Sequence, residues 1–203
     1  MYLAALASPK LAPRHPILIA GDFDGYIQAA IRDDQIHLNY IGVHPRAMGQ
    51  GLGGELLAAF HELGRATGCR RATLGVFASN PRVLEWYIRN GYTETARTEL
   101  AIVDLLRVEP RSAGIVYEDL PSALADEEAR GFSMVMAKRG DEDGHVGLAA
   151  GDTLRPFFSL APSELAAAMR MDFPLRTRLI LSGEIGDLPT LDRQTSLQLE
   201  REL

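Results

Sequence analysis

The glycine-rich stretch from Ile36 to Gly54 (IHLNYIGVHPRAMGQGLGG) constrains this chain more than any other segment. Its first part, Ile36 to Val43, is apolar and contains β-branched residues, which favours a strand, and His44-Pro45 ends that strand. Four glycines then precede apolar residues at helical spacing: Leu56, Leu57 and Phe60. Glycines at this density remove side chains where a ligand has to approach the backbone. The stretch therefore predicts a strand, a tight turn and a helix start that together form a ligand site.

The elements around this turn can be predicted from local patterns. Pro16 to Ala20 and Tyr26 to Ile31 are strand candidates that form an antiparallel meander with Ile36 to Val43. Glu55 to Ala66 has the period of an amphipathic helix, and Arg71 to Ala78 has that of a strand. This β-α-β unit requires its two strands to be parallel.

A second helix is predicted after Asn80, which is a favourable N-cap and is followed by Pro81 at the first helical position. Asn90-Gly91 supplies residues that tolerate left-handed backbone and so ends the helix. Tyr92 to Val103 alternates over much of its length and predicts one long strand or two. The order of elements in this half of the chain is β-β-β-α-β-α-β.

Two segments now resemble the motifs of one enzyme superfamily. Val43 to Leu57 (VHPRAMGQGLGGELL) resembles the acetyl-CoA-binding motif of the GCN5-related N-acetyltransferases (GNAT), Val-x-Pro-x-x-(Arg or Gln)-Gly-x-Gly-x-(Gly or Ala). Asn80 to Tyr92 (NPRVLEWYIRNGY) resembles their later motif, an Asn, a Tyr seven residues on and a closing Gly-Tyr or Gly-Phe. The segments occur in the family's order, about 30 residues apart, with a strand between them.

The resemblance implies an α/β (α+β) fold with a mixed, mostly antiparallel sheet, a central splayed parallel strand pair and flanking helices. We expect a leader at residues 1–15, the acetyl-CoA-binding core at 16–105 and an α+β extension at 106–203. The family's usual first strand and two helices, which form a wall of the acceptor pocket, are missing or greatly reduced. A strand-turn-strand in the extension resembles the opening of the core, so the extension is either a degenerate partial second copy or an unrelated segment.

Physical chemistry supports acetyl-CoA as the co-substrate of the glycine turn. Backbone N–H groups of residues 48–53 lie where a helix begins, and unpaired donors and the positive end of the helix dipole favour a phosphate there. Arg46 and Gln50 are candidates for additional side-chain contacts, whereas Met48 stands where the family has Arg or Gln. The residues predicted to contact the co-substrate at the turn are Met48, Gly49, Gln50, Gly51, Leu52, Gly53 and Gly54.

The resemblance also implies roles for the strand before the turn and for the second helix. The backbone at Ile41 and Val43 is expected to pair with the pantetheine arm as a neighbouring strand would, and Asn80 is a further candidate contact. Tyr87 is the candidate general acid for the CoA thiolate, with core packing as the alternative. His37 is the candidate base, and strand periodicity places it on one face with Asn39, Ile41 and Val43. A water-relayed proton or an amine that arrives neutral is equally compatible.

The extension contains further predicted elements. Its final stretch, Leu191 to Leu203, has loosely helical spacing and is expected to fray. The other predicted elements are helices at Ser122 to Gly131 and Ser163 to Met171 and strands at Phe132 to Lys138, His145 to Ala150 and Arg178 to Ser182.

Composition limits the partners and the cellular setting. The chain has 203 residues and a net charge of −6 without a basic face, which argues against a nucleic-acid partner. No apolar run approaches the roughly 18 residues of a membrane span, so no membrane partner is expected. The single cysteine, Cys69, excludes a disulfide framework and favours a reducing cytoplasm. His44, His61 and His145 lack metal-ligand spacing, so no metal site is predicted.

The sequence therefore predicts an N-acetyltransferase that transfers an acetyl group from acetyl-CoA to a primary amine of a small molecule or peptide by direct attack. The acceptor is not identified, and a homodimer is left open. One alternative is an acyl-CoA-binding regulatory or scaffold module without catalysis, which Met48 and the reduced front wall favour. Another is a dinucleotide site at the glycine turn, against which the second motif argues.

Overall fold

The structure is a computed structural model that describes residues 2–4 and 14–203, with side chains from residue 14 onward. Most of the predicted leader lies outside the described residues. The chain divides into two compact units: one contains the described residues up to Arg97 together with Ser196–Leu203, and the other contains Thr98–Thr195. These limits differ from the expected ones because the end of the chain pairs with strands of the first unit.

Unit 1 contains the glycine-rich turn and both predicted helices of the core. Strand β6 runs from unit 1 into unit 2, and β12 runs back from unit 2 into unit 1. The elements of unit 1 are β1 (Tyr2–Ala4), β2 (Ile17–Ala20), β3 (Gly25–Arg32), β4 (Gln35–Val43), α1 (Leu52–Ala66), β5 (Arg71–Phe77), α2 (Pro81–Arg89), the start of β6 (Thr93–Asp104) and the end of β12 (Thr190–Glu202).

The strands of unit 1 are ordered β1-β2-β3-β4-β5-β12-β6. The predicted antiparallel meander is confirmed, since β2 pairs with β3 and β3 with β4. The predicted parallel pair is also confirmed, because β4 pairs with β5 from Gln35↔Arg71 to Leu38↔Leu74. Paired residues of β4 and β5 end at Leu38, although β4 continues to Val43. The sheet therefore opens between these two strands, as the resemblance implied.

The apolar faces of α1 and α2 pack on one side of this sheet. Leu56, Leu57 and Phe60 of α1 are buried in one cluster with sheet residues such as Ile27 and Leu74. A Cβ on Gly64 would lie 2.5 Å from Leu203 Cδ1 and 2.8 Å from Ile36 Cγ2, so a glycine is needed where α1 approaches the sheet and the chain end. Burial of this face stabilises the helix more than its intrinsic propensity does.

A β-bulge in β4 overturns the prediction that His37, Asn39, Ile41 and Val43 share one face. The register passes from Ala29↔Leu38 to Gln28↔Tyr40, so Asn39 has no residue opposite it. An extra residue reverses the alternation of side chains beyond it. Ile41 and Val43 consequently pack on the same apolar cluster as Ile36 and Leu38, whereas His37 lies on the opposite face.

The helical prediction for the last stretch of the chain is wrong. Thr190–Glu202 forms a strand of 13 residues, and its last part pairs antiparallel with β5 from Ser196↔Phe77 to Glu202↔Arg71. Leu197 and Leu199, two residues apart, are both 1% exposed and enter the core of unit 1. Pairing with a strand more than a hundred residues earlier determines this conformation, and no local pattern reports such a partner.

Unit 2 repeats part of the element order of unit 1. Three consecutive antiparallel strands lead into a helix and then into a strand that pairs parallel with the third of them, through Thr153↔Arg178 and Leu154↔Leu179. Helices at both predicted positions are confirmed. The elements are β7 (Val116–Glu118), α3 (Leu120–Arg130), β8 (Phe132–Arg139), β9 (Glu142–Ala149), β10 (Thr153–Phe157), α4 (Pro162–Asp172) and β11 (Arg178–Gly183), with the later part of β6 beside β11.

Candidate active site

The glycine-rich turn connects the end of β4 to the start of α1. A short 3₁₀ turn, Pro45–Ala47, follows the strand, and the His44 side chain accepts a hydrogen bond from the Arg46 N–H. Gly49 and Gly51 then adopt positive φ angles of 77° and 85°, and Gly51 is the N-cap of α1. Residues with a Cβ rarely adopt this left-handed conformation, so the backbone path itself requires glycine at both positions.

The amide groups of this turn form a set of unused hydrogen-bond donors. Gly54 N–H and Glu55 N–H both donate to the Gly51 carbonyl, at 2.9 and 3.2 Å, and Met48 N–H donates to the Pro45 carbonyl. Within the described part of the chain, the N–H groups of residues 49–53 have no protein acceptor. Donors at a helix N-terminus favour an anion, and their number here suits a pyrophosphate.

Two further glycines leave room that no atom of the described residues fills. Gly53 and Gly54 lie inside α1 and do not have positive φ angles. A Cβ on Gly54 would meet nothing within 4 Å, and one on Gly53 would make ordinary contacts with Trp86 at 3.8 Å and Val43 at 3.9 Å. Neither backbone conformation nor packing therefore requires glycine at these positions. The backbone of both residues is therefore open to a ligand, and their contact with the co-substrate stays a prediction.

The polar side chains of the turn stabilise the loop itself. Arg46 Nε donates to Asp24 Oδ1 at 2.6 Å, and Gln50 Nε2 donates to the Arg46 carbonyl at 2.9 Å. Met48, which replaces the charged or amide residue of the motif, is 62% exposed. The side chains of Arg46 and Gln50 are thus engaged within the loop. The donors available to an anion are the backbone N–H groups of residues 49–53.

The free edge of β4 lies directly before this turn. On one side, Ile41 and Val43 pair with Ile27 and Gly25 of β3. On the other side, the pairs with β5 stop at Leu38, so within the described residues the backbone of 39–43 has no strand partner there. An extended ligand with amide groups can add to such an edge as a strand does.

Helix α2 places Tyr87 next to this region. Asn80 Oδ1 caps the helix by accepting a hydrogen bond from Val83 N–H at 3.4 Å. Trp86 contacts the Gly53 position at the start of α1, and the Tyr87 ring lies 4.8 Å from the Trp86 ring. Tyr87 is 4% exposed, and burial raises its pKa to about 12, so its hydroxyl remains protonated over the whole physiological range. A protonated phenol is a hydrogen-bond donor.

A buried polar pair supports the Tyr87 ring. Tyr92, the last residue of the second motif, packs edge-on against Tyr87 at 5.6 Å, and its hydroxyl lies 2.9 Å from His61 Nε2. Arg201 Nη1 lies 3.4 Å from His61 Nδ1 and donates to the Asn90 carbonyl at 2.7 Å. Because arginine can only donate, Nδ1 is the acceptor and Nε2–H donates to Tyr92.

This arrangement keeps His61 neutral. Burial is the main cause that lowers its pKa to about 4, and the positive charges of Arg201 and Arg65 add to the effect. No catalytic or binding role is predicted for His61 from the sequence alone. Its position one residue after the buried Phe60, on the apolar face of α1, was the available signal.

His37 lies on the face of the sheet opposite Tyr87. Its Nδ1 is 2.9 Å from Thr73 Oγ1, and burial together with the charge of Arg32 lowers its pKa. Three aromatic side chains of unit 1 are exposed beside the opening between β4 and β5: Tyr26 at 47%, Tyr40 at 66% and Phe77 at 42%. Strands β3, β4 and β5 contain no acidic residue.

Cys69 and the possible metal ligands are the remaining residues to place. Cys69 is buried with its sulfur 3.6 Å from Thr67 Oγ1. Within residues 14–203, no group of three or more His, Cys, Asp or Glu side chains could hold a metal ion. No helix among the described residues is long and apolar enough to cross a membrane.

Comparisons with known proteins agree with this geometry. Residues 11–92 match the model of the acetyltransferase (GNAT) family. A GCN5-related N-acetyltransferase from Sphaerobacter thermophilus is 17% identical with a TM-score of 0.56, and the match covers 93% of this chain and 80% of that one. A tandem GNAT protein from the clavulanic acid biosynthesis pathway is 14% identical with a TM-score of 0.62, covering 93% and 82%. At these identities the two structures show the fold alone, and no curated protein matches this chain.

Proposed function

We propose that this chain, whose residues 11–92 match the model of the acetyltransferase (GNAT) family, transfers an acetyl group from acetyl-CoA to a primary amine by direct attack. The observation that carries the proposal is the run of N–H donors at residues 49–53, which have no acceptor among the described residues. They lie between the edge of β4 that lacks a strand partner there and the helix that bears Tyr87. Acetyl-CoA supplies an activated acyl group in the form of its thioester.

Different residues of unit 1 bind different parts of acetyl-CoA. The N–H groups of Gly49, Gln50, Gly51, Leu52 and Gly53 hold the pyrophosphate, and Gly54 leaves room beside it. The backbone at Ile41 and Val43 binds the amide groups of the pantetheine arm along the free edge of β4. Asn80 keeps α2 capped and so fixes the helix that carries Tyr87.

Tyr87 acts mainly as a hydrogen-bond donor to the departing thiolate. A thiol has a pKa near 8.5, so complete proton transfer from a phenol with a pKa of about 12 is unfavourable. A fixed donor in a water-poor site nevertheless stabilises negative charge as it develops on the sulfur. Burial of Tyr87 therefore favours stabilisation of the leaving group over its protonation.

His37 is the proposed base on the opposite face of the sheet, where the acceptor amine enters. Its lowered pKa keeps the imidazole neutral near pH 7. To accept a proton at Nε2, the ring has to donate from Nδ1–H to Thr73 Oγ1, which lies at hydrogen-bond distance.

The change His37→Gln tests this role. We expect a loss of about 10-fold or more in kcat/KM and the disappearance of the acidic limb of its pH profile, because general bases contribute about 10²-fold or more when no water replaces them. Stopped-time acetylation assays across pH 5–9 measure both. An unchanged pH profile would show that the amine loses its proton elsewhere.

The acceptor face of unit 1 also indicates the chemistry of the amine. Tyr26, Tyr40 and Phe77 offer aromatic surface, and β3, β4 and β5 carry no carboxylate that would pair with additional positive charges. This surface favours an amine attached to an apolar or aromatic group, such as an amino acid derivative or a peptide N-terminus, over a polycation. A panel of amines with matched apolar and polycationic members tests this preference.

Unit 2 supports a proposal about the organisation of the chain. Its order of three antiparallel strands, a helix and a parallel strand repeats that of β2 to β5 in unit 1. We propose that it is a degenerate second copy that has lost the phosphate site, since Phe158 to Ala161 replace the glycine turn before α4. A single molecule of acetyl-CoA per chain is therefore expected in calorimetry.

The change Gly53→Ala tests the pyrophosphate site. The added methyl group meets no protein atom closer than 3.8 Å, and alanine favours helix, so the fold should gain up to about 1 kcal/mol. The same methyl group should obstruct the approach of phosphate oxygens and weaken CoA binding by about 10-fold. Thermal unfolding and calorimetric titration with CoA measure the two effects.

Glu62→Ala, at an exposed position later in α1, is the matched control and should leave CoA affinity unchanged. Equal affinity of Gly53→Ala and the unaltered protein would place the pyrophosphate elsewhere. Tight CoA binding without turnover on any amine would instead favour the second candidate, an acyl-CoA-binding module, which the exposed Met48 in place of a polar residue supports.

A further inference from the structure

Unit 2 exposes an apolar face of its sheet. Helices α3 and α4 cover one face, where Val135, Val146 and Leu148 are fully buried. The opposite face presents large apolar side chains that remain strongly exposed: Phe132 at 56%, Met134 at 51%, Met136 at 50% and Phe157 at 43%. Contiguous apolar surface of this kind marks a binding site more often than scattered single residues do.

Small residues on β9 turn this face into a groove. Gly147 lies between Met134 of β8 and Arg155 of β10, and Ala149 lies between Phe132 and Thr153. The large side chains form walls and the small ones form a floor, which encloses a cavity of about 380 Å³. This volume lies within the range of about 300–1,000 Å³ that small-molecule pockets occupy.

The groove is extended by the separation of β10 from β11. These strands pair only at Thr153↔Arg178 and Leu154↔Leu179, and β10 then continues to Phe157 without a parallel partner in the described structure. Ile180 of β11 completes the lining on that side. Strands β8, β10 and β11 therefore supply the apolar walls of the cavity, and Gly147 and Ala149 of β9 form its floor.

Arg155 provides one positive charge at this apolar site. Its guanidinium Cζ lies 5.2 Å from the centre of the Phe157 ring, which also stacks against His145 at 4.5 Å. Among the described residues, no carboxylate lies within ion-pair distance of Arg155. Basic residues on the neighbouring strands do have acidic partners: Arg178 of β11 pairs with Asp152, and Lys138 of β8 pairs with Glu118. An unpaired arginine above apolar surface complements a ligand with one anionic group.

We propose that this groove binds a small amphipathic carboxylate with a flat apolar body. The body lies on Gly147 and Ala149 between Phe132, Met134 and Phe157, and the carboxylate accepts hydrogen bonds from Arg155. The limited cavity and its single unpaired charge fit a compact ligand better than a protein surface, which needs an interface of about 1,000 Å² or more. The site is independent of the proposed acetyl transfer in unit 1.

Binding of 2-naphthoate to the full-length protein tests this proposal. Calorimetry should show saturable binding that Arg155→Ala weakens by about 10-fold or more, because a charge-assisted pair is lost. Ala149→Leu, which fills the floor of the groove, should abolish binding. Lys138→Ala, on the same face but outside the groove, is the matched control and should bind like the unaltered protein.

The neutral analogue 2-naphthalenemethanol separates the charged contact from the apolar one. It should bind the unaltered protein more weakly than 2-naphthoate does. Its affinity for Arg155→Ala should equal its affinity for the unaltered protein. Equal affinity of 2-naphthoate for the unaltered protein and Arg155→Ala, or no saturable binding at millimolar concentration, would overturn the proposal. A dimer that Met134→Ser converts to a monomer in sedimentation would also overturn it, because a second copy would then occupy the groove.

Discussion

Replacing Tyr87 with Phe should lower kcat by about 10²- to 10³-fold, the usual cost of losing one donor to a developing negative charge. The affinity for acetyl-CoA should stay within about twofold, because the contacts proposed for the pyrophosphate and the pantetheine arm lie on the glycine turn and on β4. The ring remains in place, since Phe keeps the contacts with Trp86 and Tyr92 at centroid distances of 4.8 and 5.6 Å. Acetyl transfer to an amine panel and calorimetry with CoA measure the two quantities.

The pH profile adds a second readout for Tyr87. With a pKa of about 12, the phenol does not titrate between pH 6 and 10, so kcat of the unaltered protein should show no alkaline decline that belongs to this group. Trp86→Phe, a neighbouring aromatic change without a hydroxyl, serves as the control for packing. A Tyr87→Phe protein with normal kcat would remove this residue from the mechanism and leave only its packing role.

Acidification from pH 7 to 4 should reduce the free energy of unfolding by on the order of 2–3 kcal/mol through His61 alone. The folded protein holds this pKa at about 4, whereas an unfolded histidine titrates near 6.5. Between about pH 4 and pH 6.5 the unfolded state binds more protons than the folded state. The free energy of unfolding therefore rises with pH in this range, and the contribution of His61 is lost as the pH falls toward 4. Above pH 6.5 both states are neutral, and the contribution is constant.

Urea unfolding of the unaltered protein and of His61→Gln at several values between pH 4 and 7 measures this contribution. Glutamine can still donate to the Tyr92 hydroxyl and accept from Arg201, but it cannot take up a proton in this range. The variant should therefore lose most of the pH dependence that the unaltered protein shows above the background of its carboxylates. Parallel curves for the two proteins would show that His61 has the same pKa in the folded and unfolded states, which contradicts the prediction.

Much of unit 1 could be predicted because its signals are local. Asn80 followed by Pro81 marks a helix start that the structure confirms, and α1 begins at Leu52, three residues before the predicted Glu55, and ends at the predicted Ala66. The alternation in Arg71–Phe77 identified β5, and the β-α-β order required it to be parallel to β4. The positions of the glycine turn and Tyr87 follow from the same local patterns, and residues 11–92 match the model of the family that these patterns resemble.

The sequence by itself determined the glycine turn between a strand and a helix, because helix caps, left-handed glycines and hydrophobic periods act over a few residues. Only the tertiary structure decided the strand at Thr190–Glu202, the bulge at Asn39 and the buried pair of His61 and Tyr92. The strand and the buried pair depend on partners far along the chain, and a single sequence does not record which distant segments meet. The bulge depends on the exact register between β3 and β4, which the sequence pattern does not record either. The bulge sets the side-chain face of His37 relative to Ile41 and Val43, and burial beside Arg201 sets the neutral state of His61. The groove of unit 2 likewise follows from the pairing of β8, β9 and β10, which brings small and large side chains together on one face.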